Sequence, residues 1–307
     1  MKNLKHYCLL FLKGISMGTA DVIPGISSGT IALITGIYIP LLGSIHSLNK
    51  TAFYLFRTGK WKLFWHHIHG NFLLPLCLGI TVSLLTTVRL VHYLLAEHPI
   101  EIWSFFWGLS IISSIVVYQQ IKKINLLTLL ISSAGAFLAY YIIQLTPLSS
   151  SDSFWFIFIA GAIAMCAMIL PGISGSFVLL ILGKYTYMLE ALEKFEWPVL
   201  GAFMLGGILG LLTFSRFLFA LLRKYTGYTI ALLAGFMLGS IPKTWPWKAL
   251  LPATDIANSV LIEKNISPMD FQAVYQKDPH ILQAFLCIGL GCLVVIMLKK
   301  LGGRKHI

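Results

Sequence analysis

One segment of this chain occurs twice, and each copy carries the same helix-breaking pair. Gly14 to Gly29, with Gly36 and Tyr38 beyond it, aligns without gaps on Gly161 to Ser176, with Gly183 and Tyr185 beyond it. The shared core is Pro-Gly-Ile-Ser, at Pro24, Gly25, Ile26 and Ser27 and again at Pro171, Gly172, Ile173 and Ser174. Proline lacks the backbone N–H and clashes with the preceding turn, and glycine turns freely, so each copy must interrupt a helix. A second match follows each copy: Gly79, Leu84, Leu85, Thr86, Arg89 and Gly108 recur as Gly206, Leu211, Leu212, Thr213, Arg216 and Gly235. Its offset differs from that of the first match, and the longer polar connection from Ser44 to Gly70 absorbs the difference. The chain therefore reads as two copies of one unit, residues 1–150 and residues 151–307, within one integral membrane domain.

The solvent of that domain follows from its apolar content. The chain is 57% hydrophobic and 11% charged, with a mean hydropathy of +0.83, far outside the range of a soluble domain. Apolar stretches run from Asn71 to Leu95, Ile102 to Ile121, Leu126 to Leu145, Phe154 to Leu170, Val199 to Leu222, Tyr228 to Ile241 and Ile281 to Leu298. Many approach the roughly 20 residues that a spanning helix needs. They are apolar on every face, which excludes the short alternating strands of a membrane barrel. The fold class is an all-α polytopic membrane protein, each repeat a Pro-Gly-broken helical hairpin followed by three transmembrane helices. Cys8, Cys77, Cys166, Cys287 and Cys292 are scattered through apolar runs without paired spacing, so neither disulfides nor zinc are indicated. The first apolar stretch carries Lys13 and runs into the Gly/Pro break without a small-residue cleavage site, so the N-terminus is expected to be retained. A formal charge of +12 would suit nucleic acid in a soluble protein, but here membrane topology places the lysines and arginines, and nucleic acid is discounted as a partner.

The two units are expected to be inverted. If each break makes a hairpin, the chain returns to its starting side, and three crossings then bring the second copy in from the opposite face. Charge placement is an independent test. Lys2, Lys5, Lys50, Arg57, Lys60, Lys62, Lys122, Lys123, Arg223, Lys224, Lys299, Lys300, Arg304 and Lys305 all fall on one side of this arrangement. Glu97, Glu101, Asp152, the Glu190 to Glu196 cluster and a Pro-rich loop from Pro242 to Pro279 fall on the other. The positive-inside rule then puts both termini on the cytoplasmic side of a multi-pass chain.

Inverted repeats with interrupted helices suit transport, because half-helix ends meet near the midplane and their unpaired N–H groups bind anions. The candidate substrate-binding residues are Asp21, Pro24, Gly25, Ser27, Ser28, Gly29 and Thr30 at the first break, Pro171, Gly172, Ser174, Gly175 and Ser176 at the second, and Arg89 and Arg216. The serines and Thr30 fit two readings, a phosphate cradle and ordinary helix N-caps. Arg89 and Arg216 lie within apolar helices, where a central cation costs about 2.5–3.5 kcal/mol and so calls for a partner or a wet cavity. Snorkelling to the interface is the alternative, easier for Arg216 with Arg223 and Lys224 nearby. Inversion puts Arg89 toward the outer side and Arg216 toward the inner. Asp21 has no counterpart, since Met168 occupies the matching place; it would pair with an arginine, bind a coupling proton or cation, or cap the following turn. Gly14 and Gly18, Gly25 and Gly29, Gly206 and Gly210, and Gly235 and Gly239 are small-residue pairs for close helix packing. His66, His67 and His69 beside Trp61 and Trp65 read as interfacial residues rather than metal ligands. Gly25-Ile26-Ser27-Ser28-Gly29 fits the nucleophile-elbow pattern without the soluble strand-turn-helix setting it needs, so no catalytic residue is assigned. Neither a cofactor nor a metal is called for.

The paired motifs from Asp21 to Thr30 and from Ala167 to Ser176, with Gly235 to Ser240 ending a later helix, resemble the bacterial polyprenyl-phosphate transporter family. Ser28 stands where that family more usually has glycine. The resemblance covers nearly the whole chain. It implies that the partner is a polyprenyl phosphate, undecaprenyl phosphate, carried from the outer to the cytoplasmic leaflet for reuse in peptidoglycan and other envelope synthesis. From the residues alone, an ion-coupled small-anion transporter and a membrane lipid phosphatase stay open as alternatives. The second would need a set of carboxylate, His and Arg groups that the chain does not display. Membrane lipids surround either; the oligomeric state is not legible.

Overall fold

Each of the long apolar stretches becomes a helix in the computed structural model, which describes residues 2–22, 27–121, 123–147, 150–252 and 261–301. Pro24, Gly25, Lys122, Arg304 and Lys305, used in the sequence argument, lie outside the described residues. The first repeat contains α1 (Lys2–Asp21), α2 (Ser28–Ile34), α3 (Tyr38–His46), α4 (Lys50–Arg57), α5 (Trp61–His67), α6 (Gly70–Glu97), α7 (Pro99–Tyr118) and α8 (Leu126–Gln144). The second contains α9 (Phe154–Ile169), α10 (Gly175–Ile181), α11 (Tyr185–Glu193), α12 (Trp197–Lys224) and α13 (Thr226–Ser240), then a 3-10 turn at Ile241–Thr244. Strands β1 (Lys248–Pro252) and β2 (Leu261–Asn265) pair antiparallel, and α14 (Pro268–Tyr275) and α15 (Ile281–Leu301) end the described chain. Among the described residues five helices, α6, α7, α8, α12 and α15, are long and apolar enough to cross a membrane, and the bent pairs α2–α3 and α10–α11 bring the number to as many as 7. The chain is a multi-pass membrane protein whose membrane part is helical.

Local chemistry sets the ends of these helices. Asn125 and Thr128 form a reciprocal capping box at the start of α8, Ser153 caps α9, and α7 and α12 each open with proline in the first turn, where its missing N–H costs nothing. The sharpest bends come just beyond the breaks. Gly36 (φ 72°) and Gly183 (φ 66°) occupy equivalent places, and the chain turns there by 118° between α2 and α3 and by 107° between α10 and α11. A positive φ is accessible to glycine without the Cβ clash that other residues suffer. The connection from Ser44 to Gly70 folds into α4 and α5, and the Pro-rich loop carries the hairpin and α14, local structure that the sequence pattern left as loop.

The two repeats make equivalent contacts. Helix α1 packs along α6, and α9 along α12. A Cβ on Gly14 would strike the carbonyl of Leu76, and one on Gly161 would strike that of Phe203, the aligned residue. Reciprocally, a Cβ on Gly79 would strike the Phe11 carbonyl and one on Gly206 the Phe158 carbonyl, again an aligned pair. With lipid no less apolar than a leucine side chain, backbones this close gain from dispersion and Cα–H···O contacts rather than from hydrophobic burial. The later helices exchange partners between repeats: α7 packs on α15, and α13 on α8.

Candidate functional site

The first break docks onto the second through a set of polar contacts. Helix α9 ends at Ile169, leaving carbonyls without intrahelical donors. Ser27 Oγ, from the other repeat, lies 3.1 Å from the Met168 carbonyl and 3.0 Å from that of Leu170, sharing its proton between them. Tyr38 Oη donates to the Ile169 carbonyl at 3.0 Å. In return the N–H of Gly172 donates to Thr30 Oγ1 at 3.2 Å. Gly29 is required for this approach, because a Cβ there would run into the Ile169 carbonyl. All of α2 is buried as a result.

The start of α2 is satisfied from within. The Ser28 N–H donates to Asp21 Oδ1 at 2.8 Å, and the Gly29 N–H to Ser27 Oγ at 3.1 Å. Asp21 therefore accepts from the start of α2 in this conformation, and Ser27 is at once an N-cap and the link to α9. At the second break, Pro171 and Gly172 are buried, Gly172 with a positive φ of 87°. Ser174 and Ser176 pair hydroxyl to hydroxyl at 2.7 Å, and Gly175 sits close to the Ala164 carbonyl, where a Cβ would come within 2.8 Å. Ser27 and Thr30 thus meet the segment from Met168 to Gly172, while Ser174 and Ser176 bond to each other.

The arginines stand apart from both breaks. Arg216, on α12, is exposed and donates to the Leu48 carbonyl at 3.2 Å, just past the end of α3. A cavity of about 610 Å³ is lined by Pro40, Gly43, His46, Asn49, His67 and Phe219, and Arg216 is not among its lining residues. Arg89, on α6, is exposed and makes no ion pair or hydrogen bond with the described residues.

Two lysines outside the candidate set, Lys13 and Lys184, are buried. Lys13, buried, donates from Nζ to the Thr35 carbonyl at 2.9 Å and so closes the carboxyl end of α2. The aligned carbonyl, that of Leu182 at the end of α10, accepts from Ser150 Oγ at 2.6 Å. Lys184, also buried, reaches the Ser150 carbonyl at 3.0 Å and pairs with Asp152. A cation suits a helix carboxyl end, where the unpaired carbonyls carry partial negative charge. The signal was present in Lys13, a lone cation inside an apolar run.

Equivalent residues have unequal surroundings. Tyr38 is 1% exposed, whereas Tyr185, its aligned partner, is 40% exposed. Helix α3 crosses to pack on α12, with His46 stacked on Phe219 at 5.3 Å between centroids. Its counterpart α11 also rests on α12, in its own repeat, and neither arm packs to a comparable extent on α6, which carries Arg89. Both arms thus rest on α12, the helix that carries Arg216.

Comparison with known proteins follows the same lines. A family described as undecaprenyl phosphate translocase-like matches residues 17–260. A polyprenyl-phosphate transporter of Vibrio cholerae is 42% identical over 298 residues, 96% of this chain and 97% of that protein. A polyprenyl-phosphate transporter of Staphylococcus aureus is 33% identical over 254 residues, 76% of this chain and 85% of that protein. No solved structure matches.

Proposed function

The chain belongs to the undecaprenyl phosphate translocase-like family, and on that premise we propose that it carries polyprenyl phosphate from the outer to the inner leaflet of the bacterial cytoplasmic membrane. The carrier lipid of envelope synthesis is thereby returned for reuse. One observation carries the mechanism: two aligned tyrosines, Tyr38 and Tyr185, sit in opposite environments, one sealed and one open. In a scaffold of two inverted repeats, such a difference is what separates the two end states of alternating access. The sealed side is that of α3 on α12 with Arg216, and the open side is that of α6 with Arg89. On the inverted reading, with both termini cytoplasmic, this conformation faces outward.

The phosphate needs a cation wherever it leaves water, and a guanidinium can grip two of its oxygens at once. Arg89 meets it on the open side. Closure of α11 onto α6 and release of α3 from α12 would then free Arg216 from the Leu48 carbonyl for the phosphate at the inner leaflet. The isoprenoid tail stays in the bilayer throughout. A transporter reading fits better than a phosphatase, since the carboxylate and hydroxyl at the first break, Asp21 and Ser27, are taken up by helix ends rather than aimed at a substrate. The test is reconstitution in vesicles with labelled polyprenyl phosphate in one leaflet. Transfer of the label without release of phosphate supports the reading; release of inorganic phosphate by the pure protein would replace it with the enzyme.

A further inference from the structure

Three charged groups converge near the second break. The 3-10 turn at Ile241–Thr244 continues directly from Ser240, whose Oγ lies 2.8 Å from where a Cβ on Gly172 would stand. From that turn Lys243 places Nζ 4.7 Å from the ring centroid of Phe177, which follows Ser176 in α10. From β1, Lys248 places Nζ 4.2 Å from the ring centroid of Trp103 in α7. Both ammonium groups converge on one oxygen, Glu263 Oε2, at 3.1 Å and 3.0 Å.

The charge in this cluster does not balance. Two cations, with side chains 18% and 11% exposed, share a single carboxylate that is itself 45% exposed. Burial lowers the Lys248 pKa, and Lys243 lowers it further against the opposing pull of Glu263. At Glu263, burial works to raise the pKa, but Lys248 and Lys243 outweigh it and hold the carboxyl below its usual range. The carboxylate is the most exposed member and the one able to return to water. Trp245 packs edge-on against both Trp107 and Trp247 at 5.2 Å and 5.5 Å.

We propose that Lys243 and Lys248 form a docking site for the phosphate monoester headgroup of the lipid, occupied in the empty carrier by Glu263, which the phosphate displaces. The inference rests on the transport reading above and deepens it by naming a further cationic group that holds the headgroup. A phosphate monoester carries about −1.5 to −2 charges at neutral pH, so it neutralises two ammonium groups where one carboxylate cannot. Lysine suits this step, since a point charge on a flexible stem binds phosphate without fixing its orientation. Phe177, whose ring Lys243 approaches, directly follows Ser176 in α10.

The sign of the effect at Glu263 separates this site from a triad that merely pins the β-hairpin to α7. Full-length protein in nanodiscs is titrated with labelled undecaprenyl phosphate, and melting temperature is followed in parallel. Glu263→Gln should tighten binding several-fold, because no internal anion then competes, and the double variant Lys243→Gln/Lys248→Gln should weaken it about tenfold or more, in keeping with the loss of two charge-assisted contacts. In the wild type, added lipid should make Glu263 more reactive to a water-soluble carbodiimide as its carboxylate is released, a readout that needs no variant to fold. Glu263→Gln weakening binding as the lysine variants do, a double lysine variant that binds like wild type, or carbodiimide labelling that is unchanged by lipid would each overturn the docking site while leaving transport intact. Absence of binding by the wild type would instead remove the transport reading itself.

Discussion

Thr30 Oγ1 accepts a hydrogen bond from the Gly172 N–H at 3.2 Å, so a hydroxyl of one repeat satisfies a backbone donor at the helix break of the other. Ser27 and Tyr38 return the favour at the carbonyls of Met168, Ile169 and Leu170. The interrupted helices complete one another, and neither break is a finished structure alone.

Replacing Thr30 by valine keeps the side-chain shape and removes the acceptor, leaving a buried N–H unpaired at a cost of about 1–3 kcal/mol. Thr30→Val should therefore melt lower than wild type in detergent, and Thr30→Ser should recover most of the loss. A valine variant as stable as wild type would mean that the breaks are not held together by this bond.

The two kinds of glycine should respond differently. Around Gly36, with φ 72°, a Cβ meets nothing within 4 Å, so Gly36→Ala pays only the left-handed backbone penalty, about 1–2 kcal/mol. At Gly172, with φ 87°, the Cβ would also come within 2.8 Å of Ser240 Oγ and 2.9 Å of Met237 Cα. Overpacking adds about 1–3 kcal/mol, so Gly172→Ala should lose clearly more stability in the same melting assay.

For the arginines, Arg89→Gln and Arg216→Gln should insert and express normally, because removing an intramembrane cation relieves a desolvation cost of about 2.5–3.5 kcal/mol. Transport should nonetheless fall sharply in both, and lysine should rescue only in part, having charge without the planar fork. Leaflet-resolved binding in oriented vesicles should find outer-leaflet capture weakened in Arg89→Gln, and the cytoplasm-facing state affected in Arg216→Gln. Unchanged transport in both variants at normal expression would take the arginines out of the mechanism.

Much of this was legible in the sequence because it is local. Proline and glycine break helices wherever they stand, and a long apolar run reads as a helix without knowledge of its neighbours, so α6, α7, α8, α12 and α15 could be placed from residue type alone. What depends on distant partners was not legible. Nothing near Lys13 in sequence says that the carboxyl end of α2 will come to its ammonium, and nothing near Lys243 or Lys248 says that both will reach Glu263. Tyr38 and Tyr185 show a further limit. They are the same residue in the same motif, yet one is 1% exposed and the other 40%. The connections that fold into α4, α5, the hairpin and α14 lacked long periodic patterns, and polar spacing alone does not separate a short helix from a loop.

Sidedness can be tested on its own. Single cysteines in a background without the native five should label from the cytoplasmic side at Lys60 and Lys123 and from the opposite side at Lys277. If Lys123 and Lys277 label from the same side, the repeats are not inverted, and the assignment of Arg89 and Arg216 to opposite leaflets goes with them.

The central claim is that the chain moves a phosphorylated polyprenyl lipid across the bilayer. Proteoliposomes with labelled undecaprenyl phosphate confined to one leaflet, probed by a membrane-impermeant reagent over time, measure that directly. Wild-type protein should transfer the label to the other leaflet far faster than protein-free vesicles do, without releasing inorganic phosphate. Transfer at the protein-free rate, with the protein correctly folded and inserted in both orientations, would contradict the account.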